Sequence, residues 1–166
     1  VLLGDNLLMT QHHGPEVLAP STASRDLVKA YEQTGRPVAG LMRVPPEDAS
    51  SFGMVAMHDG RITEVVEKPA PGEAPSDLAL CGRYLWTEDA AALLDHYDVD
   101  AHGELQSIRV QEHWMSDGGL TGVVHDGAVW YDAGRPLPWL KAQIDHALRR
   151  EDMGEALEAW LASRLQ

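Results

Sequence analysis

Apolar positions Leu27, Val28, Ala30 and Tyr31 recur at helical spacing between Ser24 and Gln33, and Gly35 followed by Pro37 supplies a stop, which predicts a helix. Val38 to Val44 is a short apolar run closed by Pro45-Pro46 and reads as a strand. Phe52 to His58 and Arg61 to Glu67 flank Asp59-Gly60, the residue pair of a two-residue hairpin turn whose positive φ angles suit Asp and Gly. Ala70-Pro71-Gly72-Glu73-Ala74-Pro75 is a loop by composition. Leu78 to Leu85 reads as a strand leading to Thr87, an N-cap for a helix running to about His96.

A second helical pattern covers Glu104 to about Met115, and Ser116-Asp117-Gly118-Gly119 breaks it. Leu120 to Val124 and Ala128 to Tyr131 read as strands around a hairpin-like turn at Asp126-Gly127. After the loop Asp132-Ala133-Gly134-Arg135-Pro136, two helices follow, about Leu137 to Arg149 and Gly154 to Leu165. The stripe Leu157, Trp160, Leu161 and Leu165 on the last of them is compatible with packing on the domain or with a dimer contact, and core packing is the expectation. The chain opens on Val1-Leu2-Leu3, an apolar run ending in Gly4-Asp5-Asn6, read as a buried strand of a parallel sheet that carries a carboxylate to a crevice. Strands and helices mixed without a repeat predict one α/β unit, and the opening inside a strand predicts the later part of a longer α/β chain.

Composition narrows the classes. With 44% hydrophobic and 23% charged residues over 166 positions, the chain is an ordinary globular one with no apolar run long enough for a membrane helix. Its formal charge of −13 argues against nucleic acid, because that field repels a phosphate backbone. A lone cysteine, Cys81, forms no internal disulfide and fits a reducing cytoplasm; inside an apolar strand it reads as a buried, inert thiol.

The candidate chemistry lies at strand ends. Asp5 and Asp132 each follow an apolar segment, and two such carboxylates suit Mg²⁺, which takes oxygen ligands and shares its shell with phosphates; ordinary loop aspartates fit the spacing equally well. Glu67-Lys68-Pro69 ends an apolar strand, so a hydroxyl acceptor and a phosphate-neutralising ammonium stand side by side, or else a solvated charge pair does. Only three lysines, Lys29, Lys68 and Lys141, accompany ten arginines, so the position of each is informative. Gly53, Gly82 and Gly134 sit in or after strands, where a missing side chain admits a ligand to the backbone or simply serves a turn. The eight histidines, His12, His13, His96, His102 and His113 among them, form no metal motif, and no nucleophile elbow or glycine-rich phosphate loop is present.

Taken in order, Leu3-Gly4-Asp5-Asn6, Ser51-Phe52-Gly53-Met54-Val55, Val65-Val66-Glu67-Lys68-Pro69, Ser76 to Leu85 with its Cys81-Gly82-Arg83-Tyr84, Gly103-Glu104-Leu105-Gln106 and Tyr131-Asp132-Ala133-Gly134 resemble the sugar-1-phosphate nucleotidylyltransferases, most closely the bacterial uridylyltransferase branch. The resemblance implies a three-layer, Rossmann-like α/β nucleotidyltransferase fold on a mainly parallel sheet, of which residues 1–166 form the C-terminal portion of the catalytic domain with closing helices from about 137 to 166. It implies attack of glucose 1-phosphate on the α-phosphorus of UTP, giving UDP-glucose and pyrophosphate. By the same resemblance Asp5 and Asp132 hold Mg²⁺, Lys68 contacts the sugar phosphate, Glu67 the sugar hydroxyls, and Gly53 and Gly82 line the sugar pocket. A cytoplasmic homo-oligomer with no nucleic-acid or membrane partner completes the expectation.

Three departures accompany it. The family's Gly-x-Gly-Thr-Arg nucleotide loop is absent from these residues, which predicts no significant turnover by them alone. Gly4-Asp5-Asn6 is nearer the thymidylyltransferase branch, so thymidylyl transfer is an alternative, and a non-catalytic relative that binds sugar nucleotide is another. Ser107-Ile108-Arg109 stands where the family usually continues Leu-Thr-Asp, an exchange of acid for base that bears on packing or a subunit contact.

Overall fold

A computed structural model describes residues 1–10, 21–95, 107–116 and 119–164. The expectations for His12, His13, His96, His102, the Gly103 to Gln106 segment and Leu165 lie outside the described residues. The elements are β1 (Asn6–Met9), α1 (Thr22–Thr34), β2 (Val38–Arg43), a 3₁₀ turn (Pro46–Ser51), β3 (Gly53–His58), β4 (Arg61–Glu67), β5 (Leu78–Leu85), α2 (Ala90–Asp95), α3 (Ser107–Ser116), β6 (Leu120–Val124), β7 (Val129–Asp132), α4 (Pro136–Leu148) and α5 (Gly154–Arg164). They fall into two compact units, one of Val1–Leu2 with Ser24–Asp126, the other of Leu3–Ala23 with Gly127–Gln166.

In the first unit β2, β5, β3, β4 and β6 follow one another around a closed set of ladders, because β6 pairs with both β4 and β2. The β2–β6 ladder is parallel and the other ladders of this set are antiparallel, so the strands are mixed where the resemblance implied a mainly parallel sheet. The β3–β4 hairpin turns at Asp59 and Gly60, both with positive φ (49° and 76°), as their residue types predict. Gly35, at φ 63°, ends α1 by donating its N–H to Tyr31 O at 2.7 Å. The core of this unit gathers Leu41, Val55, Ile62 and Leu120 from the strands with Val110 and Trp114 from α3. Cys81 is fully buried there, and burial pushes its thiol up to about 11, which keeps it protonated and inert.

The second unit contains the antiparallel β1–β7 ladder together with α4 and α5. Tyr131 of β7 donates its hydroxyl to the Asp145 carboxylate of α4, and burial together with that bond pushes the phenol up to about 12. Gly154 makes the α4–α5 turn close: a Cβ there would stand 2.5 Å from Leu148 O.

Four expectations are corrected. Val1-Leu2-Leu3 is no buried strand: the three side chains are exposed and Leu2 makes only an isolated bridge to Arg83, since Gly4-Asp5 turns the chain before it enters β1 at Asn6. Strands β6 and β7 do not form a hairpin about Asp126-Gly127; β6 joins the first unit's ladders and β7 pairs with β1. Thr87 does not cap α2, which starts at Ala90; Thr87 gives its hydroxyl to the Asp89 carboxylate instead, one cause of that carboxyl lying below the usual range. Trp160 is 53% exposed, so the α5 stripe is not a core face; only Leu157 and Leu161 are half-buried. No helix among the described residues is long and apolar enough to cross a membrane.

Candidate functional site

The β1–β7 register sets Asn6 opposite Asp132, and Asp5 extends that end of the ladder by accepting the Ala133 N–H on its carbonyl at 2.6 Å. Two carboxylates distant in sequence therefore stand at the same end of one two-stranded ribbon. Each has one oxygen engaged by the protein. Asn6 Nδ2 donates to Asp5 Oδ1 at 2.8 Å, and Arg135 Nε lies 3.5 Å from Asp132 Oδ2. The other two oxygens turn toward Gly134, where an added Cβ would lie 3.2 Å from Asp5 Oδ2 and 3.5 Å from Asp132 Oδ1. The space a side chain would fill at Gly134 is thus faced by two hard oxygen donors, one from each aspartate. That donor set fits Mg²⁺, which takes a few carboxylate oxygens and completes its shell with water and phosphate. Among the described residues no group of three or more His, Cys, Asp or Glu side chains could hold an ion by protein ligands alone.

The first unit brings together a second set. Gly53 faces Glu67 across the β3–β4 ladder, and a Cβ on Gly53 would lie 2.9 Å from Glu67 Oε2 and 3.3 Å from Leu80 Cδ1. The absent side chain is what accommodates the Glu67 carboxylate across the hairpin. Lys68 follows with φ 46°, a left-handed conformation unusual for a residue with a Cβ, held by its N–H donating to Phe52 O at 3.0 Å. Such a conformation costs of order 1–3 kcal/mol and survives where the surroundings demand it. It turns the chain out of β4, leaving the Lys68 side chain exposed with Nζ 3.8 Å from Glu67 Oε1. An exposed ammonium so loosely paired can be approached by an anionic ligand.

Gly82 lies in β5 with φ 68°, where the β2–β5 register shifts between Ala39 and Leu41. Its freedom of φ serves that irregularity, and Arg83 beside it reaches Ser24 Oγ at 3.1 Å. The six residues singled out from sequence are therefore found as Asp5 with Asp132 in the second unit, and Gly53, Glu67 and Lys68 around one hairpin end with Gly82 on the adjoining strand β5 in the first. Sequence reading did not single out Trp130 or Arg135; Trp130 donates its indole N–H to Asn6 Oδ1 and Arg135 lies beside Asp132, and nothing in the local pattern distinguishes either from a surface residue.

A family model described as nucleotidyl transferase matches residues 13–147. UTP–glucose-1-phosphate uridylyltransferase of Staphylococcus epidermidis (strain ATCC 35984) is 32% identical over 166 residues, covering 97% of this chain and 54% of that protein. UTP–glucose-1-phosphate uridylyltransferase 2 of Streptococcus pyogenes serotype M3 is 29% identical, again covering 97% of this chain and 54% of that protein. The chain spans about half the length of the curated relatives it matches. Among solved structures, a UDP-glucose pyrophosphorylase from Acinetobacter baumannii superposes with TM-score 0.81 at 20% identity, over 99% of this chain and 55% of that one. The α/β nucleotidyltransferase fold is thereby shown.

Proposed function

The chain belongs to the nucleotidyl transferase family, and from that premise we propose that the protein it represents transfers the uridylyl group of UTP to glucose 1-phosphate. An oxygen of the sugar phosphate attacks the α-phosphorus, the bond from that phosphorus to the β-phosphate oxygen breaks, and pyrophosphate leaves with the electron pair. Such a reaction needs positioning and charge neutralisation more than covalent help from the protein.

The observation that carries the reading is the convergence of Asp5 Oδ2 and Asp132 Oδ1 over the open side of Gly134. These two residues would hold Mg²⁺, which when bound supplies charge neutralisation and alignment of phosphate oxygens. Lys68 neutralises the phosphate of the sugar substrate through its ammonium, and its exposed side chain leaves that charge free to engage. Glu67, an acceptor seated against Gly53, receives sugar hydroxyls and so orients the ring. By the family resemblance Gly53 and Gly82 are proposed for the sugar pocket, Gly53 as the position whose missing side chain seats Glu67 and Gly82 as a buried residue that shapes β5 behind it.

The test is pyrophosphate release by the full-length gene product from UTP, glucose 1-phosphate and Mg²⁺, with a panel of other triphosphates beside UTP. Release confined to thymidine triphosphate would favour thymidylyl transfer, and no release with any triphosphate would favour the non-catalytic binding role. Asp5→Asn removes half the carboxylate pair and is expected to abolish activity at ordinary Mg²⁺. The 166 residues alone, without a glycine-rich triphosphate loop among them, are expected to show no significant turnover.

A further inference from the structure

We propose that Asn6 and Trp130 form a positioning pair that holds Asp5 by one oxygen and so presents the other, Oδ2, to the metal. The inference rests on reading Asp5 and Asp132 as metal ligands.

Trp130 Nε1 donates to Asn6 Oδ1 at 2.8 Å, and Asn6 Nδ2 donates to Asp5 Oδ1 at 2.8 Å. The direction of this chain is dictated by its ends. An indole N–H only donates and an ionised carboxylate only accepts, so the amide between them has one workable orientation, oxygen toward Trp130 and nitrogen toward Asp5. A rotated amide would break both bonds and set its oxygen against the Asp5 carboxylate. The indole therefore prevents the amide from turning, and the amide prevents the carboxylate from turning.

The sheet explains why these residues meet. Asn6 pairs with Asp132, and Trp130 lies two positions before Asp132 on β7, hence on the same face and diagonal to Asn6. A diagonal neighbour is within reach of a large aromatic side chain and beyond that of a serine or threonine. The contact is partly buried, which limits competition from water. With Oδ1 engaged, the open oxygen of Asp5 is Oδ2, the one turned toward Gly134. Orientation of a metal ligand by a hydrogen-bonded neighbour is a general device, and losing the neighbour commonly weakens metal binding 10–100-fold.

The experiment titrates the full-length protein with Mn²⁺ and follows water-proton relaxation, alongside thermal melting, for wild type, Trp130→Phe, Asn6→Ala, Asp5→Asn and Asp132→Asn. Trp130→Phe keeps the ring packing and removes only the donor. The expected result is Mn²⁺ binding weakened roughly tenfold or more in Trp130→Phe and Asn6→Ala with melting near that of wild type, and lost in Asp5→Asn. Wild-type Mn²⁺ affinity in Trp130→Phe, with binding still lost in Asp5→Asn, would overturn the positioning role while leaving the metal reading standing; so would a lowered melting temperature without a change in affinity. Undiminished binding in both Asp5→Asn and Asp132→Asn would overturn the metal reading and this inference with it. Should Asn6→Ala not fold, Trp130→Phe decides alone.

Discussion

Gly53 and Glu67 face one another across the β3–β4 hairpin, and the carboxylate of Glu67 occupies space that any side chain at Gly53 would contest, at 2.9 Å from its Cβ. The obstructing atom belongs to the far end of a flexible side chain, so Gly53→Ala is expected to push Glu67 aside rather than unfold the hairpin. Sugar-phosphate kcat/KM should fall about tenfold, a loss of about 1.4 kcal/mol, with little change in melting. Gly53→Ala and Glu67→Ala together should cost scarcely more than either alone, which a double-mutant cycle measures. Full additivity would separate the two residues.

Lys68 is expected to trade stability for function. Lys68→Ala should lower kcat/KM for the sugar phosphate by tenfold or more, the effect of losing a charge-assisted hydrogen bond of about 1.5–3 kcal/mol. Lys68→Gly should lose the same activity yet raise resistance to urea relative to Lys68→Ala, because glycine adopts φ 46° without the Cβ clash. Equal stability of the two variants would show that the left-handed turn stores no strain.

Filling the space between the aspartates is a direct test of the cradle at Gly134. Gly134→Ala would bring a methyl group to 3.2 Å from Asp5 Oδ2 and 3.5 Å from Asp132 Oδ1. The concentration of Mg²⁺ that half-activates the enzyme should rise about tenfold, the lower end of what disturbed ligand orientation costs. An unaltered Mg²⁺ dependence would remove Gly134 from the site.

His125 sets an acid limit on stability. It is buried, its Nε2 has no hydrogen-bond partner, and a Cβ at Gly40 would lie 2.8 Å from that atom. Burial holds its pKa below the ordinary histidine value of 6.5, the nearby positive charge of Arg83 adds to this, and Asp26 opposes it. The folded state thus keeps the ring neutral where the unfolded chain takes up a proton. The contribution to stability is full above pH 6.5 and is lost as pH falls from there toward the lowered folded value. Urea unfolding at pH 7.5 and 5.5 should show the loss, and His125→Gln should flatten it; an equal slope in both proteins would place the sensitivity elsewhere.

Much of the local structure is legible in the sequence alone. Strand β5 (Leu78–Leu85) and the Asp59-Gly60 hairpin follow from β-rich runs bounded by turn residues, because strand period and turn φ are properties of a few adjacent residues. Helix α1 was likewise bounded by Gly35. Local pattern and structure part where the outcome depends on a distant partner. Asp126-Gly127 looks like a hairpin turn, yet β6 pairs with β2 and β4, and β7 with β1. The apolar opening and Trp160 of the α5 stripe are exposed despite their apolar patterns, because burial is a property of what packs against a segment.

The sequence by itself determined which chemistries were available: two aspartates at strand ends, a scarce lysine beside a glutamate, and glycines among them. Only the tertiary structure decided which oxygens are open. The β1–β7 register brings Asp5 and Asp132 to one end of a ribbon across more than a hundred residues, Asn6 and Arg135 occupy one oxygen of each, and the bare side of Gly134 receives the others. The physical reason is range: turn and strand preferences act between neighbours, whereas a converging pair of carboxylates requires register, hydrogen-bond direction and an absent side chain to agree at one point in space.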